Sequence, residues 1–172
     1  IQQQAQRMDG SVRHMLELSR LETGAKALRR TAFSLAELAQ ERLQAALPID
    51  STIRTEFAAQ DKFEVNADRA LLARALDALL ENAVQHSPQG ATVTVKACGL
   101  GFSVLDQGRG VPPEDLPRIF ERFYSLPRPD KGKSSGLGLS FAAEVARQHG
   151  GRLTLGNQPE GGVLAELWLP TG

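Results

Sequence analysis

A long helix followed by an α+β domain is the fold class this 172-residue sequence predicts. Three observations predict it. Ile1 to Leu28 contains no proline and repeats apolar residues at helical spacing. After a polar stretch, Gly24 to Arg30, helix-like and strand-like segments alternate, and the strands toward the end are joined by short glycine turns. Such turns make hairpins, with helices gathered on one face, rather than a doubly wound parallel sheet.

Each element has a local reason. In the first helix Ile1, Met8, Met15 and Leu18 form a stripe that Ala5, Val12, Leu16 and Leu21 widen. A stripe this long, set off from the rest by a hinge with Lys26, Arg29 and Arg30, reads as packing on a partner helix, with an ordinary core helix as the alternative. Ala32 to Ser34 is extended, and Ser34 caps a helix over Leu35 to Leu47 with Glu37 at the capping-box position. Pro48 stops it. Thr52 to Phe57 and Phe63 to Val65 are strand-like, and Asp68 starts the strongest helix, which runs to His86 and ends at Ser87-Pro88-Gln89-Gly90. Thr92 to Ala97 and Phe102 to Leu105 are strands about the turn Gly99 to Gly101. Val111 to Ser135 is rich in Pro, Arg and Lys, with one helical turn over Glu114 to Arg122. A helix over Leu137 to His149, a strand over Arg152 to Leu155, a turn at Pro159 to Gly162 and a strand over Val163 to Leu169 complete the chain.

Composition narrows the class. Apolar residues are 41% and charged residues 23%, values of a folded globular chain. Lys plus Arg and Asp plus Glu are 20 each, so no overall positive field draws nucleic acid. No apolar run approaches the roughly 20 residues of a membrane helix. Ile1 to Gly10 is polar and Gln-rich, unlike a signal peptide. Cys98 is the one cysteine, which leaves no internal disulfide or zinc spacing and suits a reducing, cytosolic setting. The first residue is Ile rather than Met, as expected of a piece of a longer protein.

Four segments carry chemistry. In Leu79 to His86, Glu81 and Asn82 sit at the polar edge of an apolar helix. Asn82 shares a face with His86, as Glu81 does with Gln85. Asn82 offers a neutral oxygen for a hydrated magnesium ion and Glu81 a general base, although, taken alone, a solvated helix face with a chance Glu-Asn pair is the simpler reading. In Val104 to Pro112 a strand delivers Asp106 into a turn with Gly108 and Gly110. An Asp there can accept the exocyclic amine of adenine, or belong to an ordinary hairpin turn. In Arg118 to Tyr124 two phenylalanines and a tyrosine need a docking place, which a satellite cluster under a surface loop also supplies. In Lys133 to Leu139 two glycines open a helix whose free N–H groups suit an anion, or merely start the helix. No GxxxxGK[ST] follows a strand, so this is not a P-loop protein.

Taken in order, within about 60 residues, these segments resemble the catalytic ATP-binding domain of bacterial sensor histidine kinases, in the superfamily that includes gyrase, MutL and the heat-shock chaperones. Glu81-Asn82 resembles the N box, Asp106-Gln107-Gly108-Arg109-Gly110 the G1 box, Phe120 to Tyr124 the F box and Gly136-Leu137-Gly138-Leu139 the G2 box. Gly161-Gly162 is similar to the family's further glycine turn. The F box, with its short connection to the G2 box, favours the kinases over gyrase or MutL. Arg118 to Arg128, Lys133 to Ser140 and Glu160 to Glu166 are most similar to CreC-type sensor kinases.

The resemblance implies a Bergerat-type two-layer α/β sandwich, a mixed sheet under three helices. Residues 1–30 would be the second helix of a dimerisation and phosphotransfer hairpin, without its first helix, and a hinge. Residues 31–172 would be the ATP-binding domain, with a lid at 111–135. It implies ATP and Mg2+ as cofactors and transfer of the γ-phosphoryl to a histidine, then to a response-regulator aspartate. By resemblance Asn82 holds magnesium, Glu81 orients or deprotonates the attacking imidazole, Asp106 selects adenine, and Gly136 and Gly138 cradle the phosphates. Gln85, His86, Gly108, Gly110, Phe120, Arg122, Lys133, Leu137 and Leu139 complete the nucleotide contacts. The implied partners are a second protomer, through the dimerisation helices, and a receiver domain. Neither nucleic acid nor direct membrane contact is expected, and the location is the cytoplasmic side of a bacterial inner-membrane protein.

The sequence departs from the family in places. It has no His-Glu-x-x-x-Pro motif: His14 precedes Met15-Leu16 on the first helix, and His86 and His149 lie in the ATP domain. This stretch is therefore not expected to phosphorylate itself. Ala78, Gln85 and Ser125 stand where many relatives have Asn, Lys and Arg, which shifts the phosphate contacts to Arg122, Arg128 or Lys133. The alternatives are an ATP-binding regulatory or scaffold module without transfer, and a gyrase- or MutL-type ATPase.

Overall fold

The computed structural model describes residues 15–23, 27–47, 51–60, 64–121, 124 and 138–170. Residues 15–22 are helical (α1). They are followed by β1 (Thr31–Ser34), α2 (Leu35–Ala46), β2 (Arg54–Ala59), β3 (Glu64–Ala67), α3 (Arg69–His86), β4 (Thr92–Cys98), β5 (Gly101–Leu105), a 3-10 turn (Leu116–Arg118), α4 (Gly138–Gln148), β6 (Arg152–Asn157) and β7 (Val163–Trp168).

Caps and prolines set the helix limits. Ser34 Oγ accepts from the Glu37 N–H at 3.3 Å, and Asp68 Oδ1 accepts from the Leu71 N–H at 3.2 Å, each satisfying a donor at a helix start. Leu47 and Ser87, the residues before Pro48 and Pro88, are already extended, with ψ of 132° and 137°. Along α3 the buried residues are Leu72, Ala75, Leu76, Leu79, Leu80 and Ala83, one stripe at helical spacing.

The main sheet has the order β2-β4-β5-β7-β6. β2 runs parallel to β4 and the other pairs are antiparallel, so the sheet is mixed. Register brings Phe57, Val95, Val104, Ala165 and Leu155 into one row across the five strands. That row and its neighbours Ala97, Phe102 and Leu167 share one apolar core with α2, α3 and α4. The alternate residues, among them Lys96, Ser103 and Glu166, lie on the other face and are not buried. A single helical layer over a mixed sheet is the expected two-layer sandwich.

β3 pairs antiparallel with β1 in a separate two-stranded sheet, a pairing that the sequence did not assign. β2 is parallel to β4 because the chain between them returns through β3 and α3, a crossover that a hairpin turn could not provide. Within the helical turn expected over Glu114 to Arg122, the described residues hold a three-residue 3-10 turn, Leu116–Arg118, with Pro117 at its start where a missing N–H costs nothing. β6 runs two residues past Leu155, because Gly156 and Asn157 still pair with Leu164 and Val163.

The leading helix also differs from the expected partner-facing stripe. Leu18 and Leu21 are 1% and 5% exposed within this chain, whereas Met15 and Leu16 are open. Gln148 Nε2 donates to the Leu21 carbonyl at 2.6 Å, and Glu17 pairs with Arg74 of α3. One side of α1 thus docks on the domain. Ile1, Ala5, Met8 and Val12 lie outside the described residues. No helix among the described residues is long and apolar enough to cross a membrane.

Candidate functional site

The end of β5 meets the last turn of α3, the turn before β7 and the start of α4. Asp106 is the centre of this convergence. It is 3% exposed, and its Oδ1 accepts from the Gly108 N–H at 2.9 Å and the Val163 N–H at 3.1 Å. The Asp106 N–H donates to the Val163 carbonyl at 3.0 Å. No described residue donates to Oδ2. Burial pushes the carboxyl above its ordinary range, and the two backbone N–H groups draw it partly back. A buried carboxylate with one oxygen fully engaged and the other without a donor among the described residues can accept a hydrogen bond from a ligand amine.

Three glycines allow this approach. Gly108 packs against the carbonyl of His86, where a Cβ would overlap it. Gly162, at φ +90°, lies against the carbonyl of Asp106, again with no room for a Cβ. Gly110 turns the chain at φ +85° and faces Asn157, whose Oδ1 would lie 2.8 Å from an added Cβ.

Asn157 is the residue that sequence reasoning missed. Its Oδ1 accepts from the Val111 N–H at 2.7 Å and its Nδ2 donates to the Val111 carbonyl at 2.6 Å. Ending the strand at Leu155 left Asn157 in an anonymous turn, and no spacing signal linked it to a loop 46 residues earlier. Gln107 was likewise unassigned: its Oε1 accepts from the Thr92 N–H at 2.8 Å and ties the loop to β4.

On α3, Glu81 is exposed and accepts from Gln85 Nε2 at 3.1 Å. Asn82 is half-buried on the same helix. His86 is half-buried, with its carbonyl under Gly108. Gly138 opens α4 directly above Ala78, one turn before Asn82, at 3.6 Å between an added Cβ and the alanine methyl. The Ala78 departure thus lies beneath the helix start, where a small residue fits. Leu139 packs against both the main core and a smaller cluster of Val111, Ile119 and Val163, which Phe120 also joins. Tyr124 donates to Asp115 Oδ1, and Arg118 stacks on the Tyr124 ring. Arg122, Arg128, Lys133, Gly136 and Leu137 lie outside the described residues.

This convergence of a strand-end Asp, glycine turns and an α3 amide has counterparts. Residues 67–172 match the family described as histidine kinase-, DNA gyrase B-, and HSP90-like ATPase. The chain belongs to this ATPase family. Among its curated relatives, the sensor protein CreC of Escherichia coli is 41% identical over 168 residues, 95% of this chain and 35% of that protein. The sensor-like histidine kinase SenX3 of Mycobacterium tuberculosis is 33% identical over 180 residues, 97% of this chain and 43% of that protein. The chain therefore spans less than half the length of these relatives. Among solved structures, the mycobacterial sensor histidine kinase MprB superposes with a TM-score of 0.71 at 27% identity, covering 82% of this chain and 97% of that one. The α+β sandwich is thus that of histidine kinase ATP-binding domains. Within this ATPase fold, the Asp106 loop and the last turns of α3 belong to the matched region.

Proposed function

We propose that this chain is the catalytic ATP-binding part of a sensor histidine kinase, holding Mg-ATP between α3, the Asp106 loop and the start of α4. The observation that carries the reading is Asp106: buried and fixed through Oδ1 by two backbone N–H groups, with no described residue donating to Oδ2. That geometry accepts the exocyclic amine of adenine, and the close backbone contacts at Gly108 and Gly162 hold the Asp106 loop in place for it. Among the described residues no three His, Cys, Asp or Glu side chains gather to hold a metal. Asn82, a neutral half-buried oxygen donor, fits a magnesium ion that takes its other ligands from phosphates and water.

In this reading residues 31–172 form the ATP-binding domain with its lid at 111–135, and residues 1–30 form the second hairpin helix and hinge. ATP supplies the γ-phosphoryl and magnesium neutralises its charge, so the protein's share is positioning. Glu81 sits at the exposed edge of α3, where an incoming imidazole can approach, and Gln85 holds one of its oxygens. Glu81 orients or deprotonates that imidazole, while N–H groups at the α4 start, with Gly136, Leu137 and Lys133, hold phosphate. The phosphoryl then passes to an aspartate of a response regulator. The parent protein would present this part at the cytoplasmic face of a bacterial inner membrane and pair with a second protomer.

The test is transfer to a separately supplied hairpin carrying the phosphoacceptor histidine. Acid-labile label should appear on the hairpin and not on this chain, and Glu81→Gln should slow labelling while leaving ATP affinity intact. Tight Mg-ATP binding with no label on any hairpin would favour a regulatory ATP-binding module instead.

A further inference from the structure

We propose that Asn157, at the end of edge strand β6, is a positioning residue for the nucleotide, clasping Val111 so that Asp106 stays aimed at the base. The inference rests on the adenine-reading role given to Asp106 above.

Both polar atoms of the Asn157 amide are used on one residue. Oδ1 takes the Val111 N–H and Nδ2 gives to the Val111 carbonyl, at 2.7 and 2.6 Å. The side chain thereby imitates a neighbouring strand for a residue that has left the sheet. Val111 is 7% exposed, so few other partners reach its backbone. Gly110 makes the approach possible: its φ of +85° turns Val111 toward β6, and a Cβ there would press on Asn157 Oδ1. An amide donor and acceptor, a glycine shaped to admit them and a buried target amount to a built joint.

The joint lies at one end of a short loop whose other end is Asp106. Gly108 within that loop donates to Asp106 Oδ1. With Val111 clasped, residues 107–110 are held at both ends and Gly108 keeps its place under the carboxylate. With Val111 released, the loop keeps its Gln107 tie to Thr92 but loses its anchor beyond Gly110, so Gly108 can shift from Oδ1 and leave the carboxyl with the Val163 N–H alone. Oδ2 is then no longer held toward the ligand. Asn157 therefore acts through Asp106 and touches no reacting atom.

The experiment compares Mg-ATP affinity, by calorimetry, and melting temperature for the wild-type chain, Asn157→Ala and Asn157→Asp. Asn157→Ala should weaken Mg-ATP binding about three- to tenfold, the worth of one or two partly exposed hydrogen bonds. In Asn157→Asp the introduced carboxyl, once protonated, again offers one acceptor and one donor to Val111; ionised, it offers none to the Val111 carbonyl. Its affinity deficit relative to wild type should therefore narrow as pH falls from about 6 toward about 4, where an ordinary Asp protonates, whereas that of Asn157→Ala should not. Asp106 titrates in all three proteins, and the ratio to wild type at each pH removes its contribution. Should Asn157→Ala not fold, the pH profile of Asn157→Asp decides alone. Lowered melting temperatures with unchanged affinity, or a deficit in Asn157→Asp that ignores pH, would overturn the proposal. A wild-type chain that fails to bind Mg-ATP would instead overturn the adenine-reading role itself.

Discussion

Replacing Asp106 by Asn exchanges one oxygen for an NH2 group and leaves the shape of the site unchanged. The structure says which oxygen matters. Oδ1 accepts from Gly108 and Val163 at 2.9 and 3.1 Å, and the Asn carbonyl can take over both bonds. The NH2 then occupies the Oδ2 position, where it faces the adenine amine donor to donor. One buried unpaired donor costs about 1–3 kcal/mol, or roughly 5- to 150-fold in Kd. The fold should not suffer. The folded-state pKa of Asp106 is raised, so the folded protein binds more protons than the unfolded chain above the ordinary carboxyl range, and stability falls as pH rises through that window. At neutral pH the charge is a burden, and the variant should melt no lower than wild type. Affinity of the wild type for Mg-ATP should also weaken as acid pH protonates Oδ2, a dependence that Asp106→Asn lacks. Calorimetry with Mg-ATP and Mg-GTP, beside a melting curve, is the assay. Unchanged ATP affinity in the variant, or equal binding of ATP and GTP by the wild type, would refute the assignment of Asp106 to the base.

Two further outcomes follow from the same region and from the helix ends. Gly162→Ala forces a Cβ into the Asp106 carbonyl at φ +90°, and should cost about 2–5 kcal/mol, together with ATP binding. Gly161→Ala, at φ +98° but with open space around it, should cost only the backbone strain of about 1–3 kcal/mol; equal losses by denaturation would contradict the packing argument. His149 is 2% exposed, gives Nδ1–H to the Val145 carbonyl at 2.7 Å and accepts from the Asp68 N–H through Nε2 at 3.0 Å. Burial above all, and Arg30, depress its pKa, against the opposing pull of Val145 and Asp68. Its contribution is complete above the unfolded value of about 6.5 and is lost as pH falls below that toward the folded value. The melting temperature should therefore fall more steeply below about pH 6.5 in the wild type than in His149→Gln; identical slopes would show that this histidine carries no such linkage.

The sequence by itself determined what is local. Ser34 and Asp68 announce two helix starts, Pro48 and Pro88 two ends, and the apolar stripe of α3 its buried face, because caps, prolines and helical periodicity act over three or four residues. Glycines spaced around Asp106 marked a tight turn for the same reason. Pairing partners were decided only by the tertiary structure. Whether β3 joins β2 or β1 depends on which exposed edge a distant segment reaches, and neither strand's alternation records it. Leu18 and Leu21 illustrate the same limit: an apolar stripe states that a face must be covered, and only the packing of α1 on the domain says that this chain covers part of it. Asn157 is the sharpest case. A single polar residue at the end of an edge strand carries no periodic signal, and its role exists only because folding brings it to Val111, where two backbone groups have no strand to pair with.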